Sequence, residues 1–264
     1  MVVMNKTFNL GKLFGIRFRL HFTWFIIFFL VTGLLVYPNY TQWTYWVTGI
    51  IASLLFFASV VAHELAHSLV GRANGIPIST ITLFIFGGVA HMTREATRPG
   101  AEFKMALAGP ACSLLIGGFF GLFLLIPGIP EPILTMIFWL AVMNGILAVF
   151  NLIPGFPLDG GRVFRSVLWS VTGNYSRSSR IATRVGQGFG YLLSLCGILI
   201  IILRPFSMTW FDGVWIIFLG WFIAGAASAS YREVVKQDAI SSTAADATIT
   251  SNQPVISPDV EQAK

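Results

Sequence analysis

Six apolar blocks, Leu20–Tyr37, Tyr45–Leu69, Met105–Ile126, Ile133–Ile153, Val185–Leu203 and Trp210–Ala229, make up about half of the chain. Polar or Pro- and Gly-rich connections separate them, some as short as PNYTQW (38–43) and PGIPEP (127–132). Each block is long enough for an α-helix to cross a hydrocarbon core of about 30 Å. The pattern predicts an all-α polytopic membrane protein with about six transmembrane helices. Between the second and third blocks, PISTITLFIFGGVAHMT (77–93) mixes β-branched and aromatic residues in partial alternation around Gly87-Gly88. This predicts a small membrane-associated β-hairpin or sheet after the second helix.

After the fourth block, NLIPGFPLDGGR (151–162) holds prolines and glycines that no helix continues. It leads into VFRSVLWSVTG (163–173), an amphipathic segment whose Arg165, with Arg162 just before it, suits a membrane interface. Met1–Arg19 interleaves Lys6, Lys12, Arg17 and Arg19 with apolar residues and has no acid, so it is expected at the membrane surface. From Ser230 the chain turns polar without apolar periodicity. A transmembrane domain (1–236) followed by a polar, disordered tail (237–264) is the expected division.

Composition agrees with the pattern: 55% of residues are hydrophobic, only 11% are charged, and the mean hydropathy is +0.76. An ordinary soluble domain carries about 25% charged residues. Cys112 and Cys196 both lie in apolar blocks and suggest no disulfide framework. The basic N-terminus resembles the start of a signal peptide, but no small-residue cleavage site follows near Tyr37, so the first block reads as a retained span. The net charge of +6 raises the possibility of nucleic acid. Six spans, however, place 16 of the 17 Lys and Arg on one side together with both termini, Arg204 being the exception. By the positive-inside rule that side is the cytoplasm, and the expected setting narrows to the cell membrane with the lipid bilayer, and no nucleic acid, as partner.

Chemistry enters at HELAH, His63 to His67, inside the second block. On a helix, the i, i+4 spacing brings His63 and His67 to one face as a metal-ligand pair, with Glu64 about 100° away on the same rim. A catalytic zinc needs a third protein ligand and one position for water. Asp159, presented by the PLDGG turn in apolar surroundings, is the candidate. Glu64 then remains as general base, accepting a proton from a zinc-bound water whose pKa is lowered to about 7, and the outcome is amide hydrolysis. Eight helical residues separate Glu64 from Arg72, which sets the site roughly 12 Å inside the basic boundary and near the cytoplasmic side. His21 and His91 read as satisfied or interfacial histidines.

HELAH (63–67), FGGVA (86–90), AGPA (108–111), FNLIPGFPLDGGR (150–162) and the GIRFRLHFTW opening (15–24) together resemble the site-2 protease family of intramembrane zinc metalloproteases. The resemblance implies one zinc ion held by His63, His67 and Asp159, catalysis by Glu64, and cleavage of transmembrane protein substrates in regulated intramembrane proteolysis. It further implies that Asn151 lies beside the metal and holds the substrate carbonyl or the developing oxyanion. A peptide bond within a helix must be unwound before attack, and an extended strand could pair with it by β-addition. Thr80–Phe86 with Gly87 and Gly88 is the candidate, its substrate role resting on the resemblance. Many members of that family carry a soluble module such as paired CBS domains, and about 35 residues after Ser230 are too few to build one.

The alternative is a divalent metal transporter or channel using the same His, Glu and Asp cluster. Transport favours polar groups facing one another along several spans, or internal repeats. Neither pattern is visible in the sequence.

Overall fold

In the computed structural model, residues 7–37, 39–84, 87–92, 96–204 and 209–251 are described. Two strands, β1 (Thr7–Leu13) and β2 (Ile16–His21), precede helices α1 (Thr23–Val36) and α2 (Trp43–Ala73). Strands β3 (Ile78–Phe84) and β4 (Gly87–Met92) follow, then α3 (Pro99–Phe123), α4 (Glu131–Asn151), α5 (Asp159–Thr172), α6 (Tyr175–Leu203) and α7 (Trp210–Ser251). Among the described residues five helices are long and apolar enough to cross a membrane: α2, α3, α4, α6 and the Trp210–Arg232 part of α7. The chain is an integral membrane protein.

The predicted first span is shorter than its apolar run, because Leu20 and His21 belong to β2 and α1 has only 14 residues, about 21 Å. The apolar face of the sheet packs beside α2: Ile16, Phe18, Leu20, Ile81 and Leu83 form one buried cluster, and Trp24, Val61 and Leu65 pack against it. The chain therefore enters α1 directly from the sheet, and α1 is an apolar helix shorter than the five counted as long enough to cross. The Thr32 hydroxyl donates to Ser53 Oγ at 2.8 Å and ties α1 to α2.

The predicted hairpin after the second helix is present and belongs to a larger sheet of order β1-β2-β3-β4. β1 is antiparallel to β2, β2 parallel to β3, and β3 antiparallel to β4. The segment expected only to lie at the membrane surface thus supplies half of the strands. One expectation about the sheet needs correction. β3, which carries most of Thr80–Phe86, is paired on both sides, so among the described residues the strand with a free edge beside it is β4. Residues 85 and 86 lie outside the described residues. At the other end, α7 continues to Ser251, past the point where the composition turns polar, and 252–264 lie outside the described residues.

Arg165 is not at an interface. It is 8% exposed, and its guanidinium pairs with Glu102, which is 1% exposed. The Arg165 Nε donates to Glu102 Oε1 at 2.8 Å, and the guanidinium lies over the rings of Phe156 and Tyr175, at 4.8 and 4.6 Å from their centroids. This pair joins α3 to α5 inside the fold. Removing one member leaves the other charge buried without its partner, so Glu102→Ala should cost about 3–5 kcal/mol of stability. Replacing both by Met should cost less than either single truncation, a difference that unfolding midpoints in detergent would read.

Candidate metal centre and active site

His63 and His67 are one turn apart on α2, both buried, and they face α3. Met105 and Ser113, eight residues apart on α3, share the face that meets them. His67 Nδ1 donates to the Met105 carbonyl at 2.7 Å, and His63 Nδ1 is 2.9 Å from Ser113 Oγ. A carbonyl can only accept, so His67 carries its hydrogen on Nδ1, and in the neutral ring Nε2 is a bare lone pair. That lone pair is 3.1 Å from His63 Nε2 and 3.0 Å from Asp159 Oδ2. His63 Nε2 is also 3.1 Å from the same carboxylate oxygen.

Three ligand atoms, two from successive turns of α2 and one from Asp159 far along the chain, converge with little protein between them, an arrangement that a cation stabilises. Two ligand atoms on a tetrahedral zinc, at the usual bond lengths of 2.0–2.1 Å, are about 3.3 Å apart. The observed spacing is close to that. Two imidazole nitrogens and one carboxylate oxygen also form a donor set of catalytic zinc, with a fourth position open. The residues present fit the ion.

Space for it depends on Gly109, between Met105 and Ser113 on α3. A Cβ there would come within 2.1 Å of His67 Nε2 and 2.7 Å of His63 Nε2. Asp159 is the first residue of α5, delivered by the turn after α4. Gly160 and Gly161 let that turn fold on itself, since a Cβ on either would run into backbone atoms of residues 152–156. Local chemistry thus explains why PLDGG can bring a carboxylate inward.

Glu64, half-buried on the next position of α2, faces the sheet. A Cβ on Gly88 of β4 would be 2.4 Å from Glu64 Cγ. Gly87 and Gly88 open β4, paired with Phe84 and Leu83 of β3. Asn151, the last residue of α4, is half-buried, and its Nδ2 donates to Leu147 O at 2.9 Å on its own helix. His21 is buried, bonded to Thr23 Oγ1, and does not belong to the His63, His67 and Asp159 cluster.

The structure brings His63, His67 and Asp159 together as the sequence pattern leads one to expect, while Ser113, the Met105 carbonyl and the place of Gly109 have no counterpart in that pattern. The signal available was AGPA, whose small residues read as close packing. What Gly109 among them packs against is a pair of imidazoles. Ser113→Ala removes the partner of His63 Nδ1 and should lower zinc affinity about 10- to 100-fold while leaving the fold intact, as competition with a chelator would measure.

A family model described as peptidase family M50 matches residues 51–130 and 128–193. A Synechocystis sp. protein bearing a zinc metalloprotease name is 44% identical over 96% of this chain and 67% of its own length. A Mycobacterium tuberculosis protein, also named for zinc metalloprotease activity, is 35% identical over 89% of this chain and 61% of its own. The chain thus spans about two thirds of the length of these curated relatives. Among solved structures, a site-2 protease from Methanocaldococcus jannaschii matches with a TM-score of 0.57 at 30% identity, covering 85% of this chain and 95% of that one.

Proposed function

Because this chain belongs to peptidase family M50, the zinc metalloproteases of the site-2 type, we propose that it hydrolyses peptide bonds within or beside membrane-spanning segments of other membrane proteins. The observation that carries this reading is the convergence of Asp159 with His63 and His67 of α2, ligand atoms 3.0–3.1 Å apart, where α2 is a helix long and apolar enough to cross a membrane. His63, His67 and Asp159 would hold one zinc, which when bound supplies a Lewis acid that polarises the amide carbonyl and acidifies water. Glu64 accepts the proton of the attacking water and returns it to the leaving amine nitrogen, so the carboxylate is regenerated at the end of the cycle.

A helical substrate has its amides paired and cannot offer a carbonyl to attack. The free edge of β4 gives an unwound segment main-chain partners in place of those it loses. Gly88 keeps that edge against Glu64 with no side chain between them. Asn151 is a further candidate: its amide has two N–H donors, and among the described residues one is used, on Leu147 O, which leaves the other for a substrate carbonyl. The distribution of basic residues supports a site near the cytoplasmic face of the cell membrane, with both termini on that side.

Purified protein reconstituted with a single-span substrate tests the reading. Cleavage is expected with the wild type, lost on chelation and recovered with zinc, and Asp159→Ala is expected to lose both metal and activity. Chelator-resistant cleavage, or metal uptake into sealed vesicles without proteolysis, would overturn it.

A further inference from the structure

The β1–β2 hairpin has two unlike faces. Ile16, Phe18 and Leu20 point to the buried cluster under the sheet, while Arg17 and Arg19 alternate with them on the other side. Lys12 pairs directly across from Arg17, and Asn9 across from Arg19. Side chains of paired residues point the same way, so Lys12, Arg17 and Arg19 share one face. Like charges directly opposite one another destabilise a sheet unless an anion lies between them. Among the described residues no carboxylate forms an ion pair with any of the three.

Two observations set the level of this face. Arg72, near the C-terminal end of the membrane-length helix α2, donates from Nη1 to the Phe14 carbonyl in the hairpin turn at 2.6 Å. The basic end of a span lies at the headgroup layer. The apolar side of the hairpin also continues outward: Phe8, Leu13 and Phe14 are 57%, 48% and 65% exposed, and Phe8 meets the ring of Phe25 on the exposed side of α1. Among the described residues no protein covers the exposed parts of these side chains, and at the end of a membrane-length helix lipid would. The cations on the reverse face then stand at the depth of phospholipid phosphates.

We propose that the Lys12, Arg17 and Arg19 face of the β1–β2 hairpin, with the remaining N–H donors of Arg72 at its turn, is a binding site for the headgroups of anionic phospholipids. A zwitterionic headgroup brings its own cation and satisfies the cluster less well. Since β2 pairs with β3 and β3 with β4, a lipid held here steadies the sheet whose far strand lies against Glu64.

Native mass spectrometry of delipidated protein, titrated in detergent with phosphatidylglycerol or with phosphatidylcholine of the same acyl chains, tests this. Each cation near an anionic surface contributes about a fivefold factor. The tightest phosphatidylglycerol event of the wild type is therefore expected at least about fivefold below that of phosphatidylcholine. Lys12→Gln, Arg17→Gln and Arg19→Gln combined should abolish the preference while zinc content and monodisperse elution are kept. Should the triple variant fail to fold, Arg17→Gln alone is expected to weaken phosphatidylglycerol binding about fivefold. Removing the same charge from α6, by Arg177→Gln, Arg180→Gln and Arg184→Gln, should leave the preference in place. Equal binding of the two lipids, an unchanged preference in the hairpin variants, or the same loss in the α6 variant would overturn the proposal.

Discussion

The Glu64→Gln variant is expected to retain one zinc per chain and to cleave a single-span substrate about a thousandfold more slowly than the wild type. Glutamine keeps the volume beside Gly88, where the fit is tight, and takes away only the ability to accept and return a proton. None of the hydrogen bonds around the imidazoles involves Glu64, since His63 and His67 are positioned by Ser113, Met105 and Asp159. Metal content and proton transfer should therefore separate cleanly in this variant. Wild-type turnover by Glu64→Gln would remove Glu64 from the mechanism, and loss of zinc would make it a ligand or a structural support instead.

Gly109→Ala should also have a large effect, through the opposite route. The new methyl group would sit 2.1 Å from His67 Nε2, a distance at which either an imidazole or α3 must move. Overpacking of a rigid site costs about 3 kcal/mol, which as metal affinity is roughly a hundredfold, and activity falls with it. The control lies on the same helix. Gly118 has nothing within 4 Å of where its Cβ would be, so Gly118→Ala should bind zinc as the wild type does. Chelator competition on the two variants would decide the matter, and wild-type affinity in Gly109→Ala would show that the cradle has more room than the geometry indicates.

The centre of the site was legible because its chemistry is out of place where it stands. Ionisable groups in an apolar run must be compensated, and HELAH with PLDGG offers two histidines and a carboxylate with a turn to bring them together. The spans were legible from length alone, apart from the first. What the sequence hid depends on contacts distant along the chain. Arg17 of β2 lies beside Thr80 of β3, and no local pattern announces a parallel pairing across two intervening helices. Glu102 stands between Arg98 and Lys104, so in the sequence it is one more charge on a connection. Its burial follows from the docking of α5, which brings Arg165 to it. Arg165 was misread for the same reason: an amphipathic stretch in isolation suits an interface, and only the tertiary fold says which side is inside.

The unpaired edge of β4 also bears on how such an enzyme could choose among clients. An edge strand offers amides and carbonyls, and every residue type carries those, so the edge is blind to side-chain identity at most positions. Discrimination then falls on the energy needed to fray the client. A glycine in a helix lowers that requirement by about 1 kcal/mol, roughly a fivefold gain in the extended population, and a proline lowers it further. On the proposed reading, a client is marked by a weak point in its own helix more than by a consensus sequence around the cut.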